Sequence, residues 1–86
     1  VDVDLRDKAW KDLREFMEVD ADIEVSMGFD TRVMAYFIRF EKWVPGKVAY
    51  FRFRWSAMVC LEEAILGGLL RWHVEYEREV AKYGKV

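Results

Sequence analysis

Eighty-six residues with a formal charge of −2, 53% hydrophobic and 35% charged, make one soluble domain (1–86). At this size the core is modest and self-association is a common source of added stability. The hydrophobic fraction excludes a disordered chain, and the slightly acidic total argues against attraction of the whole molecule to nucleic acid or anionic lipid.

Asp4 is placed to cap a first helix, in which Leu5, Ala9, Leu13 and Phe16 recur at helical spacing with Trp10 and Met17 beside them. Arg6, Lys8, Lys11, Asp12, Arg14 and Glu15 occupy the other face, and the helix is expected to end near Glu18. The period then changes to two. Val19, Ala21, Ile23, Val25, Met27 and Phe29 alternate with Asp20, Asp22, Glu24, Ser26 and Gly28, which predicts a strand. A turn at Asp30-Thr31 leads to a second strand from Arg32 to Trp43. Pro45-Gly46 supplies the next turn, and a third strand runs from Lys47 to Trp55. Ser56 is a candidate N-cap for a final helix from Ala57 to about Tyr83, with Gly84 as its stop.

Tight turns at these places pair Met27 with Met34 and Val25 with Tyr36, then Phe40 with Phe51 and Ile38 with Phe53. Both registers gather the large apolar residues on one face. The expected fold is α+β: a two-layer α-β-β-β-α arrangement, with a three-stranded antiparallel meander and both helices on one face. Its element order resembles that of double-stranded-RNA-binding domains and of the Alu-domain proteins of the signal recognition particle. The likeness is one of order alone. A double-stranded-RNA-binding domain opens its last helix with a lysine cluster and has a long loop between its first two strands. Here those places read Ala57-Met58-Val59-Cys60-Leu61-Glu62-Glu63 and Asp30-Thr31.

The hairpin from Arg32 to Trp55 is the chemically distinctive segment. It carries Arg32, Arg39, Lys42, Lys47, Arg52 and Arg54 against Glu41 alone, a formal +5, whereas residues 1–31 sum to −6. The outward face of the expected sheet holds Asp22, Glu24 and Ser26 on the first strand. It continues with Ala35, Phe37, Arg39, Glu41 and Trp43, then Val48, Tyr50, Arg52 and Arg54. In that register Asp22, Arg39 and Arg52 form one row, and Glu24, Phe37 and Arg54 another. Phe37, Trp43 and Tyr50 are of the type that stacks on bases, and Arg39, Arg52 and Arg54 of the type that holds phosphates. The same residue types are enriched where proteins meet proteins, and an ordinary solvated face partly neutralised by Asp22 and Glu24 is the plainer alternative. Single-stranded DNA or RNA and a protein partner therefore both stand as occupants.

The last helix has apolar residues on two sides. Met58, Leu61, Ile65, Leu69, Trp72, Tyr76 and Tyr83 are expected to lie on the sheet. Val59, Leu66, Leu70, Val74 and Ala81 form a second stripe. Val59, Leu66, Leu70 and Val74 are the residues expected at a homodimer contact. Cys60, Ala64 and Gly68, flanked by Gly67, are small residues at steps of four and are expected to admit the first helix closely.

Catalytic chemistry is sparse. The chain has one histidine, one cysteine and two serines. Cys60 near a helix start can have a lowered thiol pKa, but such a cysteine is more often a small core residue. His73 and Glu77 are one helical turn apart, too few ligands for a metal. Adjacent Glu62 and Glu63 suit the positive end of a helix. No enzyme activity, metal or cofactor is expected. A single cysteine excludes an internal disulfide and fits a reducing cytoplasm. The first twenty residues are charged throughout and show no signal peptide, and Ala57 to Leu70 is short for a membrane span and contains two glutamates. The absence of Asn and Gln beside many charged residues points to a hyperthermophile source, and the scatter of Met, Cys and Trp argues against human design. The sequence therefore reads as a small non-enzymatic, self-associating interaction domain with an arginine and aromatic sheet face for a partner, the alternative being a single-stranded nucleic-acid binder on that face.

Overall fold

The computed structural model describes residues 3–44, 46 and 50–84. The elements are α1 (Val3–Val19), β1 (Glu24–Asp30), β2 (Ala35–Trp43), β3 (Tyr50–Ala57) and α2 (Leu61–Gly84). The strands form one antiparallel sheet in the order β1-β2-β3, with two helices completing an α+β fold of the expected order. The expected turn on Pro45-Gly46 and the strand start at Lys47, with Val48, fall on or beside residues outside the described set; Gly46 itself has φ +71°.

Local chemistry moves several boundaries. Asp4 lies inside the first turn of α1, where its carboxylate complements the helix dipole instead of capping it from outside. Alternation begins later than expected: Val19 ends α1, and the Asp20 N–H donates to the Phe16 carbonyl at 3.0 Å to close it. The Asp20 side chain then accepts the Asp22 N–H at 3.3 Å, so a turn occupies the place of the first strand residues.

The β1–β2 turn is Thr31–Met34 in place of two residues. The Asp30 carboxylate accepts the Arg32 N–H at 2.9 Å, and Met34 takes the left-handed conformation, φ 54°, in which glycine or asparagine is the usual residue. Val25 consequently pairs with Phe40 and Met27 with Ile38, four positions from the expected partners. Across β2 and β3, Phe40 pairs with Phe53 and Ile38 with Trp55, a shift of two. Both shifts are even, so the residues paired in the sheet keep their expected faces, while Met34, expected opposite Met27, lies in the turn and is exposed.

Ser56 and Ala57 belong to β3, paired with Phe37 and Tyr36, so Ser56 is not the N-cap. The β2 strand is long enough to hold them, and the helix starts only after Cys60, whose carbonyl accepts the Ala64 N–H at 3.4 Å. Met58, expected against the sheet, is exposed in this connection because the helical phase begins three residues beyond it.

The core lies between sheet and helices. Ile38 and Phe40 from β2 meet Ile65 and Trp72 from α2, with Ala9 and Leu13 of α1 and Ile23 completing it. Trp72 is tiled by aromatic rings: Phe40 at 5.3 Å, Phe51 at 5.6 Å, Phe53 at 6.5 Å and Tyr76 at 5.1 Å. The α1 helix packs on α2 and reaches the sheet through Phe16, whose ring meets Phe40 edge-on at 5.7 Å. The indole N–H of Trp10 donates to Glu62 at 3.0 Å and holds that carboxylate below its ordinary range, tying α1 to the start of α2.

Gly67 and Gly68 serve the sheet and not α1. A Cβ on Gly68 would stand 2.6 Å from Ile38 Cγ2 and 3.0 Å from Phe40, and one on Gly67 would overlap the Trp55 indole. The glycines let α2 descend until its backbone touches β2 and β3. At ~1.5 Å per residue α2 is roughly 36 Å long, against about 26 Å for an eight-residue strand, so its last turns pass the sheet's end.

Candidate interaction surfaces

The observed register sets the outward rows of the sheet. Glu24, Glu41 and Arg52 form one, Ser26, Arg39 and Arg54 the next, and Gly28, Phe37 and Ser56 a third. The rows expected from tight turns therefore dissolve; Asp22 lies before β1 and joins none of them. Arg39 and Arg54 stand directly opposite each other, an arrangement that would repel without nearby acids.

Two carboxylates supply that compensation. Glu41, 14% exposed, forms an ion pair with Arg39 Nε at 3.2 Å and accepts a hydrogen bond from Arg52 Nε at 2.9 Å. Asp30, 11% exposed, accepts the Arg32 guanidinium at 3.1 Å and, reaching past β2, Arg54 Nη2 at 2.9 Å. Arg39 Nε also donates to Ser26 Oγ at 3.2 Å. The hydrogen bonds from Arg32, side chain and backbone, together with Arg54, hold the Asp30 carboxyl well below its usual range. A carboxylate whose folded pKa is depressed stabilises the fold above its unfolded pKa, and this contribution is lost as pH falls through the folded value. Asp30→Asn should therefore flatten the decline of stability below about pH 4. Urea-unfolding midpoints from pH 6 to pH 2 that fall equally in both proteins would remove Asp30 from this role.

The aromatic residues are seated by the same register. Phe37 lies over Gly28, where a Cβ would be 3.4 Å from its ring, and the Arg54 guanidinium covers the ring at 4.2 Å. Trp43, 58% exposed, stacks on Tyr50 at 4.9 Å and 24°. The Tyr50 hydroxyl donates to Glu24 at 3.0 Å; burial, then Glu24, raises its pKa. Arg52 lies 5.7 Å from the Tyr50 ring. Thus Phe37, Arg39, Trp43, Tyr50, Arg52 and Arg54 do share one face, in which most of the positive charge is already met by acids. Glu41, the one acid among the hairpin's six cations and absent from the residues expected at a partner site, organises this face.

On the helix side, Leu66 is half-buried while Leu70 is 74% and Val74 55% exposed. Leu66, Leu69 and Leu70 face Phe16 across a groove of about 500 Å³, rimmed by Lys8, Asp12 and His73. Val59 is also exposed but sits in the β3–α2 connection, outside the helical stripe expected to contain it. Cys60 is buried at the start of α2, and His73 packs edge-on to Phe16 at 5.9 Å. They are thirteen positions apart, roughly 20 Å at helical rise, so they form no joint site. Among the described residues, no three His, Cys, Asp or Glu side chains gather where they could hold a metal, and no helix is long and apolar enough to cross a membrane.

Neither a protein-family model nor a curated protein nor a solved structure matches the chain.

Proposed function

We propose that the chain is a non-enzymatic, cytoplasmic interaction domain that forms a homodimer through its helix layer and offers its sheet face to a second partner. The observation that carries the dimer is the exposure of Leu70 and Val74, at 74% and 55%, beside the Phe16–Leu66 groove. Apolar side chains of this size, contiguous along one helix, mark a surface that is covered in use. The first turn of α2 holds Glu62 and Glu63 and its last turn Lys82, so antiparallel pairing of two α2 helices sets each acidic first turn at the level of the other copy's Lys82. A two-fold axis between Leu70 and Val74 sets each Leu70 against the partner's Val74. The molecule measures 46 × 30 × 17 Å, so its broad faces are large beside the about 800 Å² per partner of a standard interface. Light scattering of the native chain tests the reading: a dimer mass is expected, and a monomer at all working concentrations would end it.

The stacked, open Trp43–Tyr50 pair with Arg52 beside it favours a second reading, single-stranded nucleic acid on the sheet. The carboxylates of Glu41 and Asp30 on the same face weigh against it. That reading expects salt-sensitive binding of an oligodeoxythymidine; no binding at low salt would remove it.

A further inference from the structure

The β3 strand is an outer strand, bonded to β2 along one side from Tyr50 to Ala57. Its other side presents backbone N–H and C=O groups at alternate residues. Edges of this kind are normally blunted by proline, by charged side chains, lysine above all, or by a bulge. Tyr50–Ala57 contains no proline and no lysine, and its pairing with β2 steps without interruption from Trp43 to Tyr36. Eight residues give about 26 Å of regular edge.

Positive charge stands on both sides of that edge. On the outer face, four guanidiniums are served by two carboxylates: Arg39 and Arg52 share Glu41, and Arg32 and Arg54 share Asp30. On the helix face, Arg71 lies 3.7 Å over the Trp55 ring and donates to the Gly67 carbonyl at 3.1 Å. The two guanidiniums that β3 itself carries, Arg52 and Arg54, bond to acids on β2 and β1, on the side away from its outer edge.

These features select an occupant. A second copy's β3 would set arginine against arginine. A second copy's β1 carries its acids at Glu24 and Asp30, six positions apart, so one of them at most could meet Arg52 and Arg54, which are two positions apart. We propose that the β3 edge accepts, as a fourth strand, an extended acidic segment of another protein with carboxylates at alternate positions opposite Arg52 and Arg54. The proposal rests on the reading of the sheet as a partner surface and is independent of the helix-side dimer. Main-chain hydrogen bonds along the edge supply affinity, the alternate carboxylates supply selectivity, and each guanidinium gains an acid of its own.

The test is a titration of the full chain at low salt, read by fluorescence polarisation, with a labelled, end-capped eight-residue peptide of alternating glutamate and valine. The same peptide N-methylated at alternate residues, a lysine-valine peptide, a peptide of residues 24–30 and an oligodeoxythymidine are the comparisons. Saturable binding of the glutamate peptide is expected, weakened about tenfold or more by N-methylation and by Arg52→Glu with Arg54→Glu, a free-energy loss of at least about 1.4 kcal/mol. Backbone amide shifts should concentrate at residues 50–57. Equal binding of the N-methylated peptide would reduce the site to an anion patch and overturn the proposal. So would tighter binding of the oligonucleotide, or of the 24–30 peptide. N-methylation leaves the protein native, so this comparison stands even if the double variant fails to fold. Absence of any shift on the sheet with every probe would overturn the partner-surface reading together with the proposal.

Discussion

Trp72→Ala is expected to cost the fold about 3–5 kcal/mol, the range for deleting a buried aromatic side chain. Trp72 is 2% exposed and is surrounded by Phe40, Phe51, Phe53 and Tyr76, so its removal leaves a void that rigid rings cannot readily fill. A chain of this size has roughly 4–13 kcal/mol of stability in total, and each kcal/mol moves Tm by about 4–8 °C. A loss of tens of degrees, or failure to fold, is therefore the expected result of thermal unfolding followed by circular dichroism. Trp72→Phe, which keeps a ring in place, should lose clearly less. A midpoint for the alanine variant within a few degrees of the native one would mean that the aromatic cluster is not the core.

Leu70→Glu with Val74→Glu is expected to separate the dimer without unfolding the chain. Both side chains are exposed in the single chain, so the charges cost the monomer little. In the proposed pair each would be buried against the other copy's apolar residues and its like charge. Unpaired buried carboxylates cost several kcal/mol, so the dimer's Kd should rise by about three orders of magnitude, about 4 kcal/mol. Light scattering should move from twice the 10.3 kDa chain mass to the chain mass itself, with an unchanged circular dichroism spectrum. Retention of the dimer by this variant would place the contact elsewhere. Val59 should contribute little, because it lies outside the helix that carries the other three.

Facing was legible in the sequence and register was not, for a physical reason. Period-two alternation from Ile23 to Phe29 and from Tyr36 to Phe40 states which side of a sheet each residue occupies, and any even shift preserves it. Register depends on turn length, and Thr31–Met34 hides its length: its left-handed residue is a methionine, with no glycine or asparagine to announce it. Ser56 shows the converse error. A serine before an apolar run is a sound N-cap signal, yet β2 extended far enough to claim Ser56 and Ala57 as partners, and pairing prevailed over local preference. Gly67-Gly68 was legible as a place of close approach, but glycine does not say what approaches. Trp55, Ile38 and Phe40 answer that from the sheet. Of the candidate surfaces, the residues of the sheet face were readable because alternation groups them. Their neutralisation by Glu41 and Asp30 was not, since it follows from the register.

The four tryptophans occupy four unlike surroundings: Trp10 bonded to Glu62, Trp43 open on Tyr50, Trp55 beneath Arg71, and Trp72 enclosed among rings. Each indole is thereby an intrinsic optical reporter of a separate junction: helix to helix, strand end, strand margin and interior. Chains retaining one tryptophan at a time would let emission colour and quenching distinguish events at these junctions without any attached dye.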